Sequence, residues 1–229
     1  MTLKALVLPG GSYRRHASHE AEPVAGWLRT LGIDAEVMRY PVGMPHPAAH
    51  EAIGARVAEV RRAGAERVLL MGFSAGGHAA GLAALRPVDA AHRIDGLVLG
   101  YPVVSLETHS HQGSSEVLLG DADTPDRRSS LSLELLVTAA APASFIFHSF
   151  DDQKVPVEHS LMLSSALQRA GVAHELHLYP IGGHGCGLGG ELVPWTGPCR
   201  EWLAREGWLP PLRSTLDIAM DSRKGSETG

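Results

Sequence analysis

The chain has only two cysteines in 229 residues, no apolar run of membrane-spanning length and no cluster of lysine or arginine. Two cysteines do not make a disulfide framework and fit a reducing compartment, so Cys186 and Cys199 are read as free thiols, a local pair being the alternative. The lack of a long apolar run excludes a transmembrane helix. The apolar stretch Leu3–Leu8 is too short for a secretory hydrophobic region, and no small-residue cleavage site follows it. Together these features predict a cytoplasmic protein with no membrane partner. Twenty basic residues, scattered among 25 acidic ones for a net charge of −5, leave no footprint for nucleic acid. There is also no internal repeat, low-complexity block or second composition regime, so one domain is expected over residues 1–209. A polar tail at 210–229, rich in Ser, Lys, Arg and Glu, is expected to fray at its end.

What is present is a strand–helix rhythm. Apolar, β-prone segments recur at Leu3–Leu8, Ala35–Arg39, Arg67–Met71, Gly96–Leu99, Ser144–His148 and Glu175–Tyr179. Between them, Val24, Leu28 and Leu31 fall at i, i+4, i+7, and Ile53, Val57 and Val60 repeat that spacing. Gly32, Gly64 and Gly171 stand where helical patterns end, the last after a helix expected to begin near Pro156. The alternation predicts an α/β fold: a mostly parallel sheet of about six strands with helices on both faces. Residues 101–142 are too long for an ordinary crossover and hold polar runs at His109–Ser115 and Asp121–Ser132. They are expected to form an insertion covering the site, with one short helix near Leu133–Ala140.

The segment Gly72-Phe73-Ser74-Ala75-Gly76 ends an apolar strand and opens an alanine-rich helix. A serine on such a sharp strand-to-helix turn projects its hydroxyl into a cleft and is a candidate nucleophile. Serine hydroxyls need a base, and the base needs a carboxylate to fix its tautomer. Both are available just past later strands: the adjacent pair Asp151 and Asp152 after the fifth β-prone segment, and His184 among Gly182, Gly183, Gly185 and Gly187 after the sixth. The order Ser, Asp, His is that of the α/β-hydrolases. Oxyanion donors are expected at the Ala75 N–H and in Pro9-Gly10-Gly11-Ser12-Tyr13, at Gly11 or Ser12. That glycine-rich loop has neither a Walker lysine nor dinucleotide spacing, so it is not read as a phosphate cradle.

These residues resemble compact α/β-hydrolases of the esterase and lipase group, close to bacterial acetyl esterases and acetylxylan-esterase-like proteins. The resemblance spans about residues 3–205. Besides the loops above, it runs through Gly100-Tyr101-Pro102-Val103-Val104-Ser105, Gly113-Ser114, Leu118-Leu119-Gly120, Phe147-His148 and Val155-Pro156-Val157-Glu158. It implies a single-domain hydrolase that cleaves carboxylic esters through an acyl-enzyme, with no metal or organic cofactor. Of the two carboxylates it favours Asp152, because Asp-x-x-Val-Pro is similar to the acid loop of these enzymes, with Asp151 as the alternative. Members often carry a third glycine where Ser12 stands. The first two strands of the full eight-stranded fold are expected to be absent, since Leu3–Leu8 leads directly into the expected oxyanion loop.

The expected substrate is a small-molecule or saccharide ester with a short acyl group, acetyl first. Tyr13, His111 and Trp195 are candidate pocket residues. The rival readings are a peptidase of the same fold and a hydrolase-fold binding protein without catalysis. The histidine pairs His109/His111 and His174/His177 lack a carboxylate or cysteine at zinc spacing, and His174 and His177 would face opposite sides of a strand, so no metal site is expected.

Overall fold

In the computed structural model, which describes residues 2–209, six strands form one fully parallel sheet. They are β1 (Leu3–Leu8), β2 (Asp34–Val37), β3 (Arg67–Phe73), β4 (Gly96–Gly100), β5 (Ser144–Ser149) and β6 (His174–Tyr179). The spatial order is β2-β1-β3-β4-β5-β6. The expected tail at 210–229 lies outside the described residues.

Period-two side-chain alternation divides the strands between two cores. Leu6, Leu8, Leu70, Leu97, Leu99 and Ile146 pack on one face, under α2 (Ala48–Arg62), α3 (Ala75–Leu85) and α7 (Glu158–Arg169). Ala5, Val7, Met71, Val98, Phe145 and Phe147 face the opposite way, against α1 (Glu22–Thr30) and α8 (Thr196–Arg205). Val24 and Leu28 on α1, and Ile53, Val57 and Val60 on α2, supply the buried helical stripes that their spacing predicts. Helix α3 is buried along nearly its whole length, which its Ala and Gly content permits. Leu133 lies so close to Gly81 that a Cβ there would stand 2.5 Å from its Cδ1.

The sheet order reverses between β1 and β3, whose chains leave toward opposite edges. In an open parallel sheet such a switch point leaves a crevice at the carboxyl ends of the strands. The loops after Leu8 and Phe73, which carry Gly11, Ser12 and Ser74, are therefore neighbours because of the topology.

The insertion differs from expectation. Its polar runs fold into α4 (Gln112–Leu119) and α5 (Pro125–Leu131), while the anticipated helix at 133–140 shrinks to α6 (Leu133–Leu136). The capping chemistry explains both outcomes. The His111 side chain accepts the Ser114 N–H at the start of α4, and Thr124 accepts the Arg127 N–H ahead of Pro125 at the start of α5. Beyond α6, the Thr138 side chain and carbonyl take the N–H groups of Ala140 and Ala141 into a turn.

Candidate active site

Ser74 sits between β3 and α3 at φ 52° and ψ −121°, a region that non-glycine residues seldom occupy. The turn is held from both sides. Ser74 N–H donates to Gly100 O on β4, and its carbonyl accepts from His78 N and Val103 N. The flanking glycines are required by close approach: a Cβ on Gly72 would lie 2.4 Å from Gly76 O, and one on Gly76 would lie 2.1 Å from Leu8 O. The backbone strain thus holds the serine hydroxyl where the loops of neighbouring strands converge.

The structure brings together three of the residues expected to react. Ser74 Oγ lies 2.9 Å from His184 Nε2, and His184 Nδ1 lies 2.7 Å from Asp152 Oδ2. Because a carboxylate only accepts, Nδ1 carries the hydrogen, which leaves Nε2 to accept the serine proton. The Asp152 side chain is fully buried, and its Oδ1 accepts the N–H groups of Lys154 and Val155. Burial works to raise this carboxyl, but hydrogen bonds from His148 and His184, the His184 charge and the Val155 N–H outweigh it and hold the group well below the usual carboxylate range.

Adjacent Asp151 has a different task. Its Oδ1 accepts the N–H groups of Gly182 and Gly183 at 2.9 and 2.8 Å, so it shapes the loop that carries His184 while Asp152 meets the imidazole itself.

Ala75 occupies the first position of α3, where backbone N–H groups have no partner within the helix. In the loop after β1, Gly11 opens a tight turn closed by Arg14 N–H donating to Gly11 O at 3.0 Å. Ser12 and Tyr13 are its central residues at φ 59° and 57°, the signs of a mirror-image turn in which glycine or asparagine is usual. The insertion reaches this loop: a methyl group on Gly113 would lie 3.4 Å from His111 Cε1 and 3.6 Å from Ser12 Cβ. His111 is half-buried beside the cleft, and burial, with His184 nearby, lowers its pKa.

Two expected pocket residues are core residues instead. Tyr13 is 1% exposed and donates its hydroxyl to His78 Nδ1 at 2.8 Å, because the positive φ of its turn directs the side chain beneath the loop. His78 in turn donates from Nε2 to Leu131 O, joining the glycine-rich loop, α3 and α5. Trp195 is fully buried, stacked on Phe147 with ring centroids 4.6 Å apart, and its Nε1–H donates to Gly187 O. At the start of α8 it supports the histidine loop from below and does not line the cleft.

Three buried residues around the site have no role assigned from the sequence, although Tyr101 and His148 stand in the motifs that carry the resemblance. His148 Nε2 donates to Val155 O and lies 3.3 Å from Asp152 Oδ2. Glu20 and Tyr101 form a hydrogen-bonded pair beneath Gly10, with the Tyr101 ring edge-on to His184 at 5.0 Å. Glu20 lies one residue before Ala21 and α1, where a carboxylate ordinarily reads as a helix-start residue.

Among the described residues, no group of three or more His, Cys, Asp or Glu could hold a metal ion. His174 bonds Ser164, whereas His177 stacks on Phe145 and pairs with Glu175, so the two point to opposite faces. Both cysteines are free, and burial with the nearby Glu20 charge pushes the Cys186 thiol up to about 12. No helix among the described residues is long and apolar enough to cross a membrane.

A model of the prolyl oligopeptidase family matches residues 52–206, a stretch that contains Ser74, Asp152 and His184 and begins after the Gly11 loop. The solved acetyl ester-xyloside bifunctional hydrolase of Caldicellulosiruptor lactoaceticus superposes with a TM-score of 0.86 at 36% identity, over 92% of this chain and 85% of that one. Endo-1,4-beta-xylanase B of Butyrivibrio fibrisolvens is 30% identical over 215 residues, and an acetylxylan esterase of Xylanibacter ruminicola is 31% identical over 198. The aligned regions take up 84% and 80% of this chain but only 34% and 40% of those two relatives.

Proposed function

Since the chain belongs to the prolyl oligopeptidase family, with an α/β-hydrolase fold, we propose that it is a serine carboxylesterase acting on short-chain esters, acetyl esters of saccharides first. The observation that carries this reading is the unbroken hydrogen-bonded line from Ser74 Oγ through His184 to Asp152, at 2.9 and 2.7 Å.

In this reading Ser74 Oγ attacks the ester carbonyl while His184 Nε2 takes its proton, and Asp152 stabilises the imidazolium that forms. The tetrahedral oxygen is met by the Ala75 N–H and by an N–H from Gly11 or Ser12. His184 returns the proton to the leaving alkoxide, and an acyl group remains on Ser74. Water, deprotonated by the same imidazole, then releases the acid. No step calls on a metal or organic cofactor. The preference for acetyl groups on sugars is supported by the acetylxylan esterase and the acetyl ester-xyloside hydrolase among the relatives.

The family description favours a second reading, a peptidase on the same triad. Both are tested with p-nitrophenyl esters of graded chain length, acetylated xylo-oligosaccharides and aminoacyl p-nitroanilides, alongside fluorophosphonate labelling and mapping of the labelled residue. The esterase reading expects label on Ser74 and acetyl esters turned over faster than longer ones. Faster cleavage of the anilides would establish the peptidase, and absence of both label and turnover would leave a non-catalytic binding protein.

A further inference from the structure

Glu20 is a carboxylate only 2% exposed, placed behind the proposed oxyanion loop, and the reaction outlined above gives it nothing to do. Its Oε2 accepts the Gly10 N–H at 2.7 Å and its Oε1 accepts the Tyr101 hydroxyl at 2.8 Å. The Tyr101 oxygen also accepts the Gly187 N–H at 3.1 Å, and its ring packs edge-on against the His184 imidazole. Four hydrogen-bonding groups from four separate segments are thus closed into one buried chain: Gly10, Glu20, Tyr101 and Gly187. The segments at its two ends adjoin the proposed oxyanion donors and the base.

The packing around Gly10 shows how tightly this chain is coupled to the nucleophile. A Cβ on Gly10 would stand 2.9 Å from Glu20 Oε2 and 2.9 Å from Ser74 Cβ, so that backbone is caught between the carboxylate and the serine. At the other end Tyr101 has φ 35°, a strained value for a residue with a side chain, while its N–H is held by Phe147 O at 2.7 Å. Strain of this kind persists only when surrounding bonds over-determine it. His19 Nε2 lies 3.6 Å from Glu20 Oε1, at the solvent edge of the chain.

Resting on the serine hydrolase reading, we infer that Glu20 is a positioning residue for catalysis, its carboxylate setting the Gly10–Ser12 loop and, through the Tyr101 hydroxyl, the His184 loop in register with Ser74. It touches neither substrate nor reacting atoms. Its effect therefore falls on the transition state, where N–H groups must meet an oxyanion, and much less on ground-state binding.

The test compares Glu20→Ala, Glu20→Gln and Tyr101→Phe with the unaltered protein, all rates being divided by the active-site concentration titrated with a fluorophosphonate. Glu20→Ala should lower kcat roughly 100-fold with KM changed less than about threefold, the scale of a misplaced catalytic group. Glutamine is rescued in large part: its carbonyl accepts from Gly10 and its amide donates to the Tyr101 oxygen, so a loss of no more than about tenfold is expected. Tyr101→Phe keeps the ring against His184 but opens the chain, and should cost about tenfold in kcat. The double variant Glu20→Ala/Tyr101→Phe should lose little beyond Glu20→Ala alone, because one chain is being broken twice.

Unchanged per-site kcat in Glu20→Ala and Tyr101→Phe overturns the inference, as does a loss in Glu20→Gln equal to that in Glu20→Ala. If Glu20→Ala does not fold, the other two variants decide on their own: an unchanged per-site kcat in Tyr101→Phe, or a loss in Glu20→Gln of about 100-fold, overturns the inference. The fluorophosphonate labelling rate provides a readout independent of the natural substrate. An unaltered protein that labels on Ser74 but turns over no ester sinks the esterase reading alone, and the labelling rates of the variants still judge Glu20. A protein that neither labels nor turns over esters sinks both.

Discussion

One oxygen of Asp152 serves two imidazoles: His184 Nδ1 at 2.7 Å from above the cleft and His148 Nε2 at 3.3 Å from within β5. His148 is itself fixed by Ser160 Oγ at Nδ1 and by the Val155 carbonyl at Nε2, so the carboxylate is held by a residue with no freedom to turn.

Asp152→Asn should therefore leave the fold in place and lower kcat about 10³- to 10⁴-fold, since an amide no longer imposes the tautomer that frees His184 Nε2. Asp151→Asn should cost about tenfold or less, because its oxygen anchors only the N–H groups of Gly182 and Gly183. Steady-state kinetics on the two purified variants, with circular dichroism to confirm folding, checks the assignment. Equal losses would contradict it.

Stability should fall on mild acidification. Burial pushes the pKa values of His78 and His159 down to about 4, against about 6.5 in an unfolded chain. Above pH 6.5 both states are neutral and nothing is gained or lost. Between about pH 6.5 and 4 the unfolded chain binds the protons first, removing roughly 3 kcal/mol per residue by the lower end. Asp152, whose pKa is depressed, adds stability that is present above the ordinary carboxylate value of about 3.9 and lost as pH falls below it. Urea unfolding at pH 7.5, 6 and 5 measures the effect; a flat profile would contradict it.

Gly76→Ala should damage both fold and activity. The added methyl would lie 2.1 Å from Leu8 O and 2.5 Å from Pro9 O, and backbone cannot yield as a flexible side chain does. A loss of about 3 kcal/mol or more is expected, visible as a lowered Tm.

Trp195→Phe should lower stability by about 1–3 kcal/mol while leaving the KM for small esters unchanged. It weakens the stack on Phe147 and removes the bond to Gly187 O, both under the histidine loop. A shifted KM with unaltered Tm would restore Trp195 to the pocket.

The strands were legible because a parallel sheet covered on both faces needs apolar residues on both sides of every strand, as in Leu3–Leu8 and Arg67–Phe73. Five of the six extend beyond, or start earlier than, the apolar runs seen in the sequence or shift by a residue or two. Hydrogen bonding does not stop where hydrophobicity does: β3 runs on to Phe73, and Ser74 N–H still reaches Gly100 O. Ser74, Asp152 and His184 could be placed because each follows a strand's carboxyl end, a position fixed by topology alone.

Other features depend on which way a side chain turns, and linear spacing does not carry that. Tyr13 follows the glycine-rich loop in sequence, yet its turn sends the ring into the core. Trp195 follows the histidine loop, yet the start of α8 places it underneath. In α4 and α5 polar composition concealed helices whose capping residues, His111 and Thr124, were in plain view. Glu20 acquires its meaning only from Gly10 and Tyr101, 10 and 81 residues away.

Asp152 and His184, the proposed acid and base, follow the two strands at one margin of the sheet, and β6, the outermost, is only partly buried along its whole length, whereas Ser74 follows β3 in the protected interior. Fraying at that margin separates the imidazole from a hydroxyl that has not moved. On warming, the proposed activity should fall silent while most of the architecture still stands, and on cooling it should return without the centre having to refold.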